Sequence, residues 1–233
     1  TQISIAEGFG QLLSTQIAAM ELEEQKKLAT SMELKALQSQ INPHFLFNII
    51  NTMASLVRTD PDKARIMLRE FAVFYRQTLE NSSDLIPLSR EIEQTVRYLS
   101  LEQARFGEDR LAVEVDVDED VRAMLVPAFM VQPLVENSVK HAMPAEGKLT
   151  IRIAGEMDGD DVYLHVSDDG IGMSEEAVRT IMNPQSQTGL GIAVKNVNDR
   201  LRGYYGEEAY MKIESELGVG TSVTLYLYDC AHV

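Results

Sequence analysis

Val166-Ser167-Asp168-Asp169-Gly170-Ile171-Gly172-Met173 is the stretch from which the fold is read. It closes a predicted strand over 161–167 with two carboxylates and two glycines. A carboxylate there can accept a hydrogen bond from an amino group, and the glycines let a ligand approach the backbone. Taken alone it is an ordinary Asp-Gly turn. Its surroundings give it meaning. Upstream lie a strand at 111–117, in which Leu111, Val113, Val115 and Val117 alternate with polar residues, a helix at about 127–142 and a strand at 148–156. Met157-Asp158-Gly159-Asp160 joins that last strand to 161–167 by a short turn. Downstream come a helix at 174–182, an irregular stretch, a helix at 191–204 and strands at 209–215 and 221–228. Helices separate some strands and tight turns join others. That is an α+β sandwich with a mixed sheet, not a doubly wound parallel sheet.

Two further glycine clusters follow. Thr188-Gly189-Leu190-Gly191-Ile192 opens a helix, whose free N–H groups and positive dipole end suit an anion. Gly218-Val219-Gly220-Thr221 enters the last strand and alone is a hairpin turn. Before the first cluster, Pro133-Leu134-Val135-Glu136-Asn137-Ser138-Val139-Lys140-His141 is an otherwise apolar helix. Glu136, Asn137, Lys140 and His141 form its polar face. An acid, an amide and a lysine so placed suit hydrated Mg²⁺ beside a polyphosphate, although a solvated helix face reads the same way.

The first half of the chain is helical. Gln40-Ile41-Asn42-Pro43-His44-Phe45-Leu46-Phe47-Asn48-Ile49-Ile50-Asn51-Thr52-Met53 is apolar around most of its circumference. His44, Asn48, Asn51 and Ser55 fall within roughly 60° of one another as one polar stripe. Pro43, inside a helix, would cost about 3 kcal/mol. A core histidine satisfied by Asn48 is the bland alternative. Thr59-Asp60-Pro61-Asp62 stops this helix and starts the next, with Asp60 as N-cap. Met67, Leu68, Phe71, Phe74, Tyr75 and Leu79 give the second helix an apolar face. Two such helices cannot enclose the first one's apolar surface, so a homodimeric four-helix bundle is expected. Leu85-Ile86-Pro87-Leu88-Ser89 reads as a linker, with Ser89 as the cap of a helix reaching 106, Glu91 in its first turn and Ile92, Val96, Leu99 and Leu101 inside. Residues 1–40 carry an imperfect heptad, expected as a long helix paired with its own copy.

Composition excludes some classes. The net charge of −15 disfavours contact with nucleic acid or an anionic membrane surface. Only one cysteine, Cys230, is present, so no internal disulfide forms. No apolar run is long enough to span a membrane. The chain starts at Thr1 and reads as a piece of a longer protein.

A Glu-Asn helix, then Asp-x-Gly-x-Gly, then Gly-x-Gly before a helix, then Gly-x-Gly-Thr, resembles the nucleotide-binding boxes of the GHKL ATPase superfamily. Gln-Ile-Asn-Pro-His44-Phe-Leu-Phe-Asn resembles the phosphoacceptor box of LytS-type sensor histidine kinases. Gln132–Asn137 and Asn196–Leu201 are similar to the same branch. The resemblance covers roughly residues 37–228. It implies a helical-hairpin dimerisation and histidine-phosphotransfer domain at 37–88 and a Bergerat-fold ATP-binding domain at 89–233. Residues 1–36 would be a signalling helix from an upstream sensor.

The resemblance also implies roles. Asp168 would read the adenine amino group, beside Gly170 and Gly172. Asn137 would coordinate Mg²⁺, Glu136 would polarise its water or assist proton transfer, and Lys140 would reach the phosphates, with His141 beside it. Residues 173–190 would be the ATP lid, with Thr188, Gly189 and Gly191 against the phosphates and Thr221 at the last box. His44 would attack the γ-phosphoryl group, oriented by Asn48. A response regulator would take the phosphate. The expected location is the cytoplasm, with a membrane anchor upstream.

Three positions depart from the pattern. Phe45 stands where most histidine kinases carry an acid, Pro133 where many have a second Asn, and Ala193 where a third Gly is usual. A relay or phosphatase module without autokinase activity is the alternative, and a gyrase-like or MutL-like ATPase a further one.

Overall fold

The computed structural model describes residues 43–80, 85–182 and 189–228. The expectations for residues 1–42, including the paired N-terminal helix, lie outside these, and Pro43 stands as the first residue of the first described helix. The chain divides into two compact units, residues 1–47 and 48–233.

Helix α1 spans Pro43–Thr59 and α2 spans Pro61–Glu80. Asp60 alone separates them. Its carboxylate accepts from the Lys63 N–H at 3.0 Å, which confirms the N-cap that Asp-Pro announces. The supposed linker contains a short strand, β1 (Leu85–Pro87), and α3 runs from Leu88 to Phe106. Ser89 is therefore not the cap: it already lies in the helix, and Pro87 holds the capping position with no side-chain bond.

Next come β2 (Leu111–Val117), α4 (Glu119–Ala123) and β3 (Leu125–Pro127). Helix α5 occupies Gln132–His141, a narrower span than the expected 127–142. Val126 and Pro127 pair instead with β1, and Phe129 takes a left-handed backbone, so the helix cannot begin before the turn ends. The remaining elements are β4 (Leu149–Asp158), β5 (Asp161–Asp168), α6 (Glu175–Met182), α7 (Gly189–Tyr205), β6 (Tyr210–Glu216) and β7 (Gly220–Leu227).

The main sheet has the order β2-β4-β5-β7-β6. The β2–β4 pair is parallel and the others are antiparallel, so the sheet is mixed, as expected. Alternation decides its two faces. Leu149, Ile151 and Ile153 of β4, Val162, Leu164 and Val166 of β5, and Val223, Leu225 and Leu227 of β7 are buried. The opposite face carries Arg152, paired with Glu114 across the strands at 2.6 Å, and Tyr163, Tyr210 and Tyr226. On the buried face α5 contributes Leu134, Val135 and Val139, and α7 contributes Val194, Val197 and Leu201. The result is a two-layer α/β sandwich.

Helix α2 packs on α3, with the Phe74 and Tyr98 rings 6.3 Å apart and Arg97 paired with Glu70. That packing places α2 in the same compact unit as the sandwich.

Candidate functional site

The site forms where β5 ends against the first turns beyond it. Asp168 is the last residue of β5 and points to the buried side of the sheet, at 9% exposure. Its Oδ2 accepts from the Ser138 hydroxyl at 2.7 Å. Its Oδ1 accepts from the N–H of Gly170 at 3.1 Å and of Thr221 at 3.3 Å. Burial pushes the carboxyl above its ordinary value; these three bonds pull it part of the way back.

The glycines are required by close approach. A Cβ on Gly220, whose φ is +135°, would stand 1.9 Å from the Asp168 carbonyl oxygen. One on Gly172, at φ +63°, would stand 1.9 Å from the Glu216 carbonyl oxygen. One on Gly170 would meet the Ala142 carbonyl oxygen at 2.2 Å. Backbone bonds clamp the loop: Ile171 N–H donates to Ala142 O at 3.0 Å, and Gly218 N–H to Ile171 O at 2.9 Å. The Ser215 hydroxyl accepts from Met173 N–H at 2.8 Å and donates to Gly220 O at 2.9 Å.

A cavity opens beside Asp168. Asn137, Ser138, His141 and Thr221 line its polar side; Leu134, Met173, Ile181, Val194, Ile213 and Val223 make its apolar walls. Such a slot suits a flat heterocycle with one donor group facing a carboxylate. The expected polar face of α5 splits. Leu134, Asn137, Ser138 and His141 follow the i, i+3, i+4, i+7 rhythm and line the cavity. Glu136 and Lys140, about 100° round the helix from Asn137 and His141, do not. Glu136 accepts from Gln132 Nε2 at 2.8 Å, and Lys140 is exposed. Partial burial and the neighbouring Lys140 lower the His141 pKa. Gly189 begins α7, Gly191 is buried within it, and Thr188 lies outside the described residues.

Asn137 Nδ2 is buried and has no hydrogen-bond partner. An amide N–H in that condition is suited to a group that arrives with its own acceptor. Among the described residues no three His, Cys, Asp or Glu side chains converge. A cation here would therefore take few protein ligands and draw the rest from phosphate and water, the habit of Mg²⁺. Ser138 is the site residue that the sequence reading missed. Its place one residue after Asn137, on the helix face towards the Asp-x-Gly-x-Gly turn, was the available clue.

His44 and Asn48 lie on α1, with His44 exposed and Asn48 half-buried.

Comparisons with known proteins place these features. The family described as histidine kinase matches residues 32–111, and that of the histidine kinase-, DNA gyrase B- and HSP90-like ATPases matches residues 127–229. The chain is 42% identical over 229 residues to the sensor protein LytS of Bacillus cereus, covering 96% of this chain and 38% of that protein. It is 40% identical to the Bacillus subtilis LytS over 226 residues, 94% of this chain and 38% of that one. To the Staphylococcus aureus sensor histidine kinase/phosphatase LytS it is 38% identical over 217 residues, 91% of this chain and 37% of that one. The chain thus spans less than two-fifths of the length of the curated relatives it matches. Together the two matched segments, the glycine-clamped Asp168 pocket and the identity to the LytS proteins make this chain a member of the histidine kinase family, in its LytS-type branch, with a GHKL-type ATPase sandwich.

Proposed function

We propose that the chain is the kinase part of a two-component sensor: it phosphorylates His44 from ATP and passes the phosphoryl group to an aspartate of a response regulator. The observation that carries the reading is an exposed imidazole in the histidine kinase segment of a chain whose other segment holds a buried carboxylate beside a slot with apolar walls.

Asp168 accepts from the adenine amino group through Oδ2, with Ser138 holding that oxygen in place. The apolar walls take the base faces. Asn137 would hold Mg²⁺, and Gly189 and Gly191 let the phosphates approach the start of α7, while Thr221 stays beside Asp168 in the slot. Bound Mg²⁺ supplies charge neutralisation on the phosphates. Lys140 and His141 stand at the end of α5, where Lys140 adds positive charge beside the phosphates.

A ring nitrogen of His44 forms a bond to the γ-phosphorus while the bond to the bridging oxygen breaks; ADP leaves and the ring loses its N–H proton. The attacking nitrogen must be unprotonated, and positioning supplies most of the acceleration. Asn48, one turn from His44, orients the ring through its amide oxygen, because an amide is too weak a base to take the proton. Glu136 is the carboxylate proposed for that proton or for a metal-bound water. A homodimer through the first two helices and a membrane anchor outside this chain complete the proposal; among the described residues no helix is long and apolar enough to cross a membrane. The Staphylococcus aureus relative is a sensor histidine kinase/phosphatase, which makes a phosphatase activity the second reading.

The test is incubation with γ-labelled ATP and Mg²⁺. Label should enter the chain, survive base and be lost in acid, as a phosphohistidine does. His44→Ala should abolish labelling while nucleotide binding persists. Undiminished labelling of that variant would remove His44 as acceptor.

A further inference from the structure

Glu91 is among the most buried charged side chains in the described chain, at 1% exposure, and the catalytic reading makes no use of it. It lies in the first turn of α3, where a carboxylate is ordinarily a solvent-facing complement to the helix dipole. Here it points away from its own helix. Oε2 accepts from Phe129 N–H at 3.0 Å, and Oε1 accepts from Val131 N–H at 3.0 Å and Gln132 N–H at 3.2 Å.

Those donors are the entrance to α5. The helix has no cap of its own: Val131 occupies the N-cap position with a hydrocarbon side chain. Among its first residues, Pro133 has no N–H, while Leu134 and Val135 both donate to Val131 O, at 3.1 and 3.2 Å. Gln132 N–H is the orphan that remains, and Glu91 takes it. The turn before it is strained as well, since Phe129 has φ +64° without being glycine. Arg200 of α7 supports the turn from the other side, bonding Ala128 O with its guanidinium 6.0 Å above the Phe129 ring.

We infer that Glu91 is a positioning residue for nucleotide binding: from α3 it caps α5 in place of a local residue, fixing the register in which Asn137 and Ser138 face the pocket. The inference rests on the nucleotide reading of that pocket. The geometry behind it is short. Asn137 and Ser138 follow Gln132 by five and six residues on one rigid helix, so rotation of the first turn turns both side chains away from Asp168. Burial raises the Glu91 carboxyl above its ordinary value, and the backbone bonds to the turn draw it part of the way back.

The experiment compares Glu91→Gln, Glu91→Asp and, as a control for lost stability alone, Leu99→Ala from the fully buried side of the same helix. Each is melted, then titrated with Mg²⁺–ATP. Glutamine turns an amino group towards N–H donors, so affinity should fall about tenfold in a chain that still melts cooperatively. Aspartate keeps the charge but is one methylene short and should fall in between. Leu99→Ala should melt lower and bind normally. A folded Glu91→Gln chain that binds like the unsubstituted one overturns the inference, as does a Leu99→Ala chain that loses as much affinity. Failure of the unsubstituted chain to bind ATP would instead remove the nucleotide reading, and this inference with it. Should the Glu91 variants not fold, hydrogen exchange in the unsubstituted chain decides. Coupling is mutual, so ATP must slow exchange of the Phe129, Val131 and Gln132 amides severalfold; unchanged rates overturn the inference.

Discussion

At the scale of single residues, Asp168 sets stability against binding. Its folded pKa stands above the ordinary 3.8 because burial outweighs three hydrogen bonds. Between 3.8 and the raised value the folded chain keeps a proton that the unfolded chain has lost, so the Asp168 contribution to stability falls as pH rises through that window. Affinity for an amino group moves the other way, because the acceptor is the ionised form. Asp168→Asn should therefore leave the melting temperature of the free protein unchanged or raise it. It should also weaken ATP binding by about 10- to 100-fold, the worth of a charge-assisted hydrogen bond at roughly 1.5–3 kcal/mol. Melting and titration across mildly acidic pH check both halves; unchanged affinity would end the adenine role. Asp168 was legible in the sequence because glycines flag it. Ser138 was not, because a serine inside a helix carries no mark of what it faces. Glu91 was read as a dipole partner because its true donors lie 38 to 41 residues away.

At the scale of elements, the long periodic helices and strands were legible to within a residue or two. The misses share one cause. Strands β1 and β3 have three residues each and α4 has five, too short to show a period. They exist through pairing: Leu85, Ile86 and Pro87 find Pro127, Val126 and Leu125 only in three dimensions. That small sheet is also what cuts α5 short at its beginning. The glycine turns can be tested as elements. Gly220→Ala forces a Cβ onto the Asp168 carbonyl at a left-handed φ, where strand and turn both fix the backbone. It should destabilise the fold by more than about 3 kcal/mol and abolish ATP binding. Gly203→Ala, inside α7 with open space around it, should stabilise by about 0.5–1 kcal/mol through helix propensity alone. Denaturant melts of the two variants check the contrast; equal effects would mean that close approach is not what these turns require.

At the scale of the whole molecule, the sandwich closes its own core whereas the first two helices leave apolar surface open. Ile50 and Val57 of α1 are 46% and 61% exposed, and Ile66 and Val73 of α2 are 60% and 36% exposed. Within each pair the residues are seven apart, so each helix carries an uncovered stripe at heptad spacing. Contiguous exposed stripes of this kind ask for a partner helix. A second copy would cover them by forming the four-helix bundle that the sequence suggested. The argument predicts where association fails. Ile50→Asp together with Val73→Asp puts a charge into each stripe. Burying each isoleucine or valine is worth about 1.5–3 kcal/mol, so the pair should weaken self-association by at least 100-fold. Sedimentation at micromolar concentration should show a dimer for the unsubstituted chain and a monomer for the double variant. The sandwich does not depend on these stripes, so ATP titration of the monomer should give the unsubstituted affinity. A chain that already sediments as a monomer would remove the bundle, and a double variant that stays dimeric would move the interface elsewhere.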